Sequence, residues 1–267
     1  MTTNDTQLYQ RPAELLQALI RFETTNPPGN ETECIQFING LLTAAGIETS
    51  LLGKTPQRQN VIARLKGEGK APPLLLYGHV DVVTTSGQDW KHPPFEGQII
   101  DNYVWGRGAL DMKGGVAMML AAILKPKAEN PPRPGDVIFA AVADEENGGN
   151  FGAKFLVDEH PALFKDARYA LGEFGGFTMD IRGQRFYPIM VAEKQLCWMR
   201  ATFRGPGGHG SMPIRGGAMA KLSRALRLLD EKRLPAHITP VARQMITGIA
   251  AGLPGPVGML MSQLANP

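Results

Sequence analysis

Apolar residues recur at helical spacing over residues 12–21 and again over 31–45, so two amphipathic helices are predicted there, separated by the loop "NPPGNE". Beyond residue 46 the period changes. Short apolar or β-branched runs at 47–52, 60–67, 72–83, 136–143 and 167–174 are bounded by Gly, Pro and Asp, which marks them as strands. Helical patterns at 114–125 and 151–160 lie between them, and strands alternating with helices predict an α/β sheet. The run "DVIFAAVA" is apolar at nearly every position, the signature of a strand covered on both faces.

Near residue 181 the texture shifts. "IRGQRFYPIMVAEKQLCWMRATFRG" predicts antiparallel strands, and the following Gly-rich turn leads to a helix over 216–231. The expected division is residues 1–181 for the α/β part and 182–267 for a smaller α+β unit inserted after it. The last stretch, from residue 245, is apolar and ends without returning to the first sheet.

With 267 residues, 43% hydrophobic and 20% charged, the chain has the composition of a globular protein able to bury a core. The formal charge of +3 comes from Lys and Arg spread along the chain, which indicates neither a nucleic-acid partner nor a membrane surface. Cys34 and Cys197 lie far apart without CxxC spacing, so a disulfide framework and a thiolate metal site are both disfavoured. No leader-like segment opens the sequence, and a reducing, cytoplasmic setting is the expectation.

Chemistry-bearing residues gather at strand ends. His79 closes the run "LLLYGH", and Asp81, two positions on, shares its face in an extended chain. A carboxylate there can fix one imidazole nitrogen while the other meets a metal, although H-x-D by itself is met more often as a satisfied core histidine. Asp111 sits in the Gly-rich "GRGALDMKGG", where helix cap and metal ligand are both open readings. Asp144, Glu145 and Glu146 follow "DVIFAAVA", either as a solvated acidic turn or as anions awaiting a cation. Glu173 ends a further apolar run. All of these fall on one edge of one sheet, where open α/β sheets place their ligands. One imidazole and several carboxylates suit Zn²⁺, Co²⁺ or Mn²⁺, and a bridging carboxylate can hold two ions roughly 3.5 to 4 Å apart.

"GHVDVV", "GRGALDMKGG", "ADEENGG", "GEFGG" and "GPGGHGSMP", in this order, resemble the M20 metallopeptidase family of aminoacylases, acetylornithine and succinyl-diaminopimelate deacylases and glutamate carboxypeptidases. The resemblance implies a zinc-peptidase-like catalytic domain, a mixed and largely parallel sheet flanked by helices, carrying an inserted lid and dimerisation domain. It implies two zinc ions: His79 and Glu173 on one, Glu146 on the other, and Asp111 as the bridge, followed by a cis peptide to Met112. Asp81 would orient His79, and Glu145 would be the general base for a metal-activated water that cleaves the amide bond of an N-acyl amino acid or small peptide. His209 would reach a partner subunit's site in a homodimer to polarise the scissile carbonyl. Family members draw one more metal-binding histidine from a segment near their C-terminus and are longer. Here His237 reads as a surface residue, so the sequence is expected to be a C-terminally incomplete version of the fold. A non-catalytic metal-binding or assembly protein that keeps the fold is the alternative.

Overall fold

The computed structural model describes residues 5–175, 177–194, 197–212 and 215–266. Gly176 of "GEFGG", Gln195 and Leu196 of the expected strand region, and Pro213 of "GPGGHGSMP" lie outside them. The chain divides into two units, Met1–Glu173 and Phe174–Pro267.

In the first unit the chain runs through α1 (Pro12–Ile20), α2 (Thr32–Ala44), β1 (Glu48–Gly53), β2 (Gln59–Leu65), β3 (Leu74–His79), β4 (Gln98–Ile100), β5 (Tyr103–Trp105), α3 (Lys113–Glu129), β6 (Val137–Val142), α4 (Ala153–Glu159) and β7 (Tyr169–Leu171). A five-stranded sheet has the order β1-β2-β6-β3-β7. β6, β3 and β7 are parallel, β2 is antiparallel to both β6 and β1, and so β2 alone runs against the other four strands. The sheet is therefore mixed but largely parallel in direction.

Alternation along the strands feeds two hydrophobic layers. On one face Val61, Ala63, Leu76, Phe139 and Ala141 pack with Leu15 and Leu19 of α1, Ile35, Ile38 and Leu42 of α2, and Val116, Leu120 and Ile123 of α3. On the other, Ile62, Ile138, Ala140 and Val142 meet Phe155 and Leu156 of α4. β6 contributes to both, as its unbroken apolar run predicts, and each fully buried Val, Leu, Ile or Phe among these contributes about 1.5–3 kcal/mol. The small hairpin β4–β5 lies outside the predicted strands: its arms, "QII" and "YVW", are only three residues long.

The second unit holds β8 (Met179–Ile181) and β9 (Gln184–Phe186), then α5 (Ala218–Glu231), α6 (Pro240–Gly252) and α7 (Gly255–Gln263). Arg182 and Gly183 both have positive φ, 53° and 78°, which suits the tight turn between β8 and β9. Antiparallel pairing in the expected strand region stops there. Among the described residues only the isolated Gly175–Ile189 bridge adds to it, and Trp198 and Met199 are exposed. A strand needs a neighbouring strand for its N–H and C=O groups, and beyond Ile189 the described residues supply no such pairing. α5 forms as its pattern predicts. The Gly- and Pro-broken C-terminal stretch forms α6 and α7, the former started by Thr239, whose hydroxyl accepts the Ala242 N–H at 3.2 Å.

Candidate metal centre

His79 is the last residue of β3, next to the well-covered β6, and its ring is buried. Nδ1 lies 2.9 Å from the backbone carbonyl of Asp81 and 3.5 Å from Asp81 Oδ1. A carbonyl can only accept, so Nδ1 carries a proton, and in the neutral imidazole the lone pair is on Nε2, facing outward. Three carboxylates face that nitrogen: Asp111 Oδ1 at 3.1 Å, Glu145 Oε2 at 3.7 Å and Glu173 Oε2 at 3.9 Å.

Each carboxylate arrives on a different segment. Asp111 precedes α3, whose N-cap is Met112 with no side-chain cap bond, so the capping reading of Asp111 gives way to its contact with His79. The Asp111–Met112 peptide is cis. Glu145 and Glu146 open a 3-10 turn, Glu145–Asn147, directly beyond β6. Glu173 follows β7. Donor atoms of His79, Asp111 and Glu146 lie within 4.8 Å of one another, as do those of His79, Glu145 and Glu173.

Crowded anions leave an electrostatic mark. Burial and then hydrogen bonding and repulsion from Asp111 push the Glu173 carboxyl up to about 7. Glu146 is raised by burial and then by Asp111. For His79 burial opposes the charged form, but hydrogen bonding and charge from Asp81, with Glu145 behind, outweigh it and raise the imidazole to about 9. Glu146 Oε1 is buried without a hydrogen-bond partner among the described residues. An excess of negative charge, an outward imidazole nitrogen and an unmatched carboxylate oxygen fit a divalent cation with N and O ligands.

Asp81 supports this arrangement from beneath. Its carboxylate, fully buried, accepts Asn26 Nδ2 at 2.8 Å and the backbone N–H groups of Glu145 and Glu146, both at 3.1 Å. Burial alone would raise its pKa, yet the hydrogen bonds from His79 and Asn26 and the His79 charge hold it below the usual carboxylate value.

Residues 75–196 match the model of Peptidase family M20/M25/M40. The chain carries an M20-family peptidase domain. It is 38% identical over 212 residues to a succinyl-diaminopimelate desuccinylase of Methylorubrum extorquens, covering 76% of this chain and 52% of that protein. Aminoacylase-1 of Sus scrofa is 29% identical over 250 residues, 88% of this chain and 60% of the relative. The chain thus spans about half the length of the curated relatives it matches first. An M20 family metallo-carboxypeptidase from Sulfolobus solfataricus shares the fold with a TM-score of 0.53 at 23% identity, covering 65% of this chain and 39% of that one.

Within this M20 domain the sequence-predicted His79, Asp81, Asp111, Glu145, Glu146 and Glu173 come together. His209 belongs to the second unit, exposed, its Nδ1 2.7 Å from Ser211 Oγ. His237 is exposed too. Sequence reasoning missed Asn26, whose Nδ2 also reaches Asp144 Oδ1 at 3.1 Å, and Arg58, which pairs with that same oxygen at 2.9 Å. Neither residue lies in a motif; the only hint was that one of three consecutive acids would require a cation of its own. No helix among the described residues is long and apolar enough to cross a membrane.

Proposed function

We propose that the chain forms the metal-binding part of a dinuclear hydrolase that cleaves the amide bond of N-acyl amino acids or small peptides, with Glu145 as general base. One observation carries the reading. A buried imidazole presents Nε2 to Asp111, Glu145 and Glu173 at the C-terminal edge of the sheet, with Glu146 in the same cluster. His79, Asp111 and Glu173 would hold one ion, Asp111 and Glu146 the other, zinc being the first choice and cobalt or manganese compatible with the same donors. Bound there, divalent ions supply Lewis-acid polarisation of a carbonyl and water of lowered pKa.

The chain's own groups divide the remaining work. Glu145, half exposed and with its N–H pinned by Asp81, is placed to take a proton at Oε2 and return it to the leaving amine. Asp81 holds the turn and, through its carbonyl, the His79 tautomer. The names of the relatives, a desuccinylase and an aminoacylase, support N-acyl amino acids as the substrate class. The M20 resemblance adds His209 of a second copy as the group that polarises the scissile carbonyl, in a homodimeric cytoplasmic enzyme.

The test pairs metal analysis with turnover. The chain, and a version extended to the length of its relatives, are loaded with zinc and freed of excess ion, and the extended version is assayed for amine release from N-succinyl and N-acetyl amino acids, beside Glu145→Gln. Metal retained in both, with turnover lost in the variant, is the expected result. A chain that takes up no zinc ends the reading.

A further inference from the structure

Arg58 stands just before β2, away from the carboxylate cluster, and is nonetheless buried. Its guanidinium ties three segments together. Nη2 donates to Glu31 Oε1 at 2.7 Å and to Asp144 Oδ1 at 2.9 Å, and Nη1 donates to the Pro28 carbonyl at 3.1 Å. The Phe151 ring lies 4.9 Å from the guanidinium carbon. The loop leading to α2 is moulded around the side chain: at Gly29, with φ of 82°, a Cβ would fall 2.3 Å from Arg58 Cζ.

A buried ion pair is a weak stabiliser, because desolvating its charges offsets most of their attraction. What this one fixes is Asp144, the residue that enters the 145–147 turn in a left-handed conformation with φ of 67°. The Asp144 carboxylate is fully engaged by Arg58, by Asn26 Nδ2 at 3.1 Å and by the Phe151 N–H at 3.1 Å. Asn26 in turn donates to Asp81, so a continuous path runs from Arg58 through Asp144, Asn26 and Asp81 to His79. Of three consecutive acids, the first is neutralised on the protein side, and the other two belong to the metal cluster.

We propose that Arg58 is a positioning residue of the metal centre: by drawing Asp144 into its pair with Glu31, it sets the turn that presents Glu145 and Glu146. Arg58 touches neither glutamate and acts through Asp144 alone. The proposal rests on the metal-centre reading above, which metal uptake by the unaltered chain tests separately.

The test is Co²⁺ titration of the chain, following the d–d absorption band as a signature of ligand geometry and thermal melting as a measure of fold. Two variants are compared with the parent. R58K keeps the charge but loses the planar fork that serves two carboxylates at once. The charge-free E31Q/R58M/D144N avoids stranding a buried ion and guards against simple misfolding. Each variant should bind Co²⁺ about 10- to 100-fold more weakly than the parent, the range for groups that orient metal ligands, with an altered band. The triple variant should melt within a few degrees of the parent. Parental affinity and spectrum in R58K, or in a folded triple variant, would show that the cluster only fills space and overturn the proposal. A parent that binds no Co²⁺ would overturn the metal-centre reading itself.

Discussion

Asp81 accepts the backbone N–H of Glu146 at 3.1 Å. The same carboxylate accepts the Glu145 N–H, whereas the closest partner of the His79 ring is the Asp81 carbonyl. Asp81→Asn should therefore leave the imidazole tautomer in place and loosen the turn, because an amide offers one acceptor oxygen where the carboxylate offered two. Zinc affinity should fall about 10- to 100-fold by calorimetry. Unchanged binding would separate Asp81 from the turn.

Glu145 and Glu146 are neighbours in sequence but should fail differently. In a version extended to the length of the relatives, Glu145→Gln is expected to lower turnover by about 10²- to 10⁴-fold while metal content stays near parental. Glu146→Gln should lower metal occupancy first, since its buried Oε1 has no protein partner to lose. Metal analysis and initial rates on the two variants decide the matter, and equal metal loss in both would remove the distinction.

Gly78 precedes His79 and has no room for a side chain: a Cβ would lie 2.8 Å from Met112 Cε and 2.9 Å from Val116 Cγ2. Gly78→Ala should displace Met112 and with it Asp111, costing about 1–3 kcal/mol by overpacking. Thermal melting would register that cost, and zinc titration the shift of Asp111. Parental behaviour in both would show that α3 yields without moving the ligand.

Asp136 provides a pH dependence remote from the metal centre. The Gly67 N–H, 2.9 Å away, and Arg64, 2.7 Å away, hold its carboxyl below the ordinary value of 3.8 despite partial burial. A depressed folded-state pKa gives a contribution that is complete above the unfolded value and fades as pH falls through the folded one. Asp136→Asn should thus be less stable than the parent at neutral pH, the gap closing as acid is added below about pH 4. Urea denaturation at a series of pH values follows this, and a gap that stays constant into acid would contradict it.

The sheet and the ligand edge were legible because they rest on local pattern. β6 announces itself by an unbroken apolar run; His79, Glu145, Glu146 and Glu173 stand where such runs end, and Asp111 stands in the Gly-rich loop before α3. Arg58 and Asn26 were not legible. Their roles come from contacts across 86 and 118 residues with Asp144, and no spacing rule reports a charge pair between distant loops. α6 and α7 were hidden for another reason. Glycines and prolines lower helix propensity in that stretch, and tertiary contact decides instead: a Cβ at Gly258 would lie 2.4 Å from the Ala250 carbonyl, so the two helices meet backbone to backbone.

β7 pairs with β3 through three residues, has no partner on its other side among the described residues, and leaves Tyr169 and Leu171 exposed. Glu173 is thus tethered to the sheet by its shortest and least covered strand. Such strands open far more often than central ones, so β7 amides should exchange with solvent ahead of those in β3 and β6. A bound ion ligated by Glu173 would resist each opening, and zinc should slow exchange in β7 more than elsewhere. The residence time of such an ion and the breathing of this edge would then be one quantity, with release limited by how often a three-residue ladder parts.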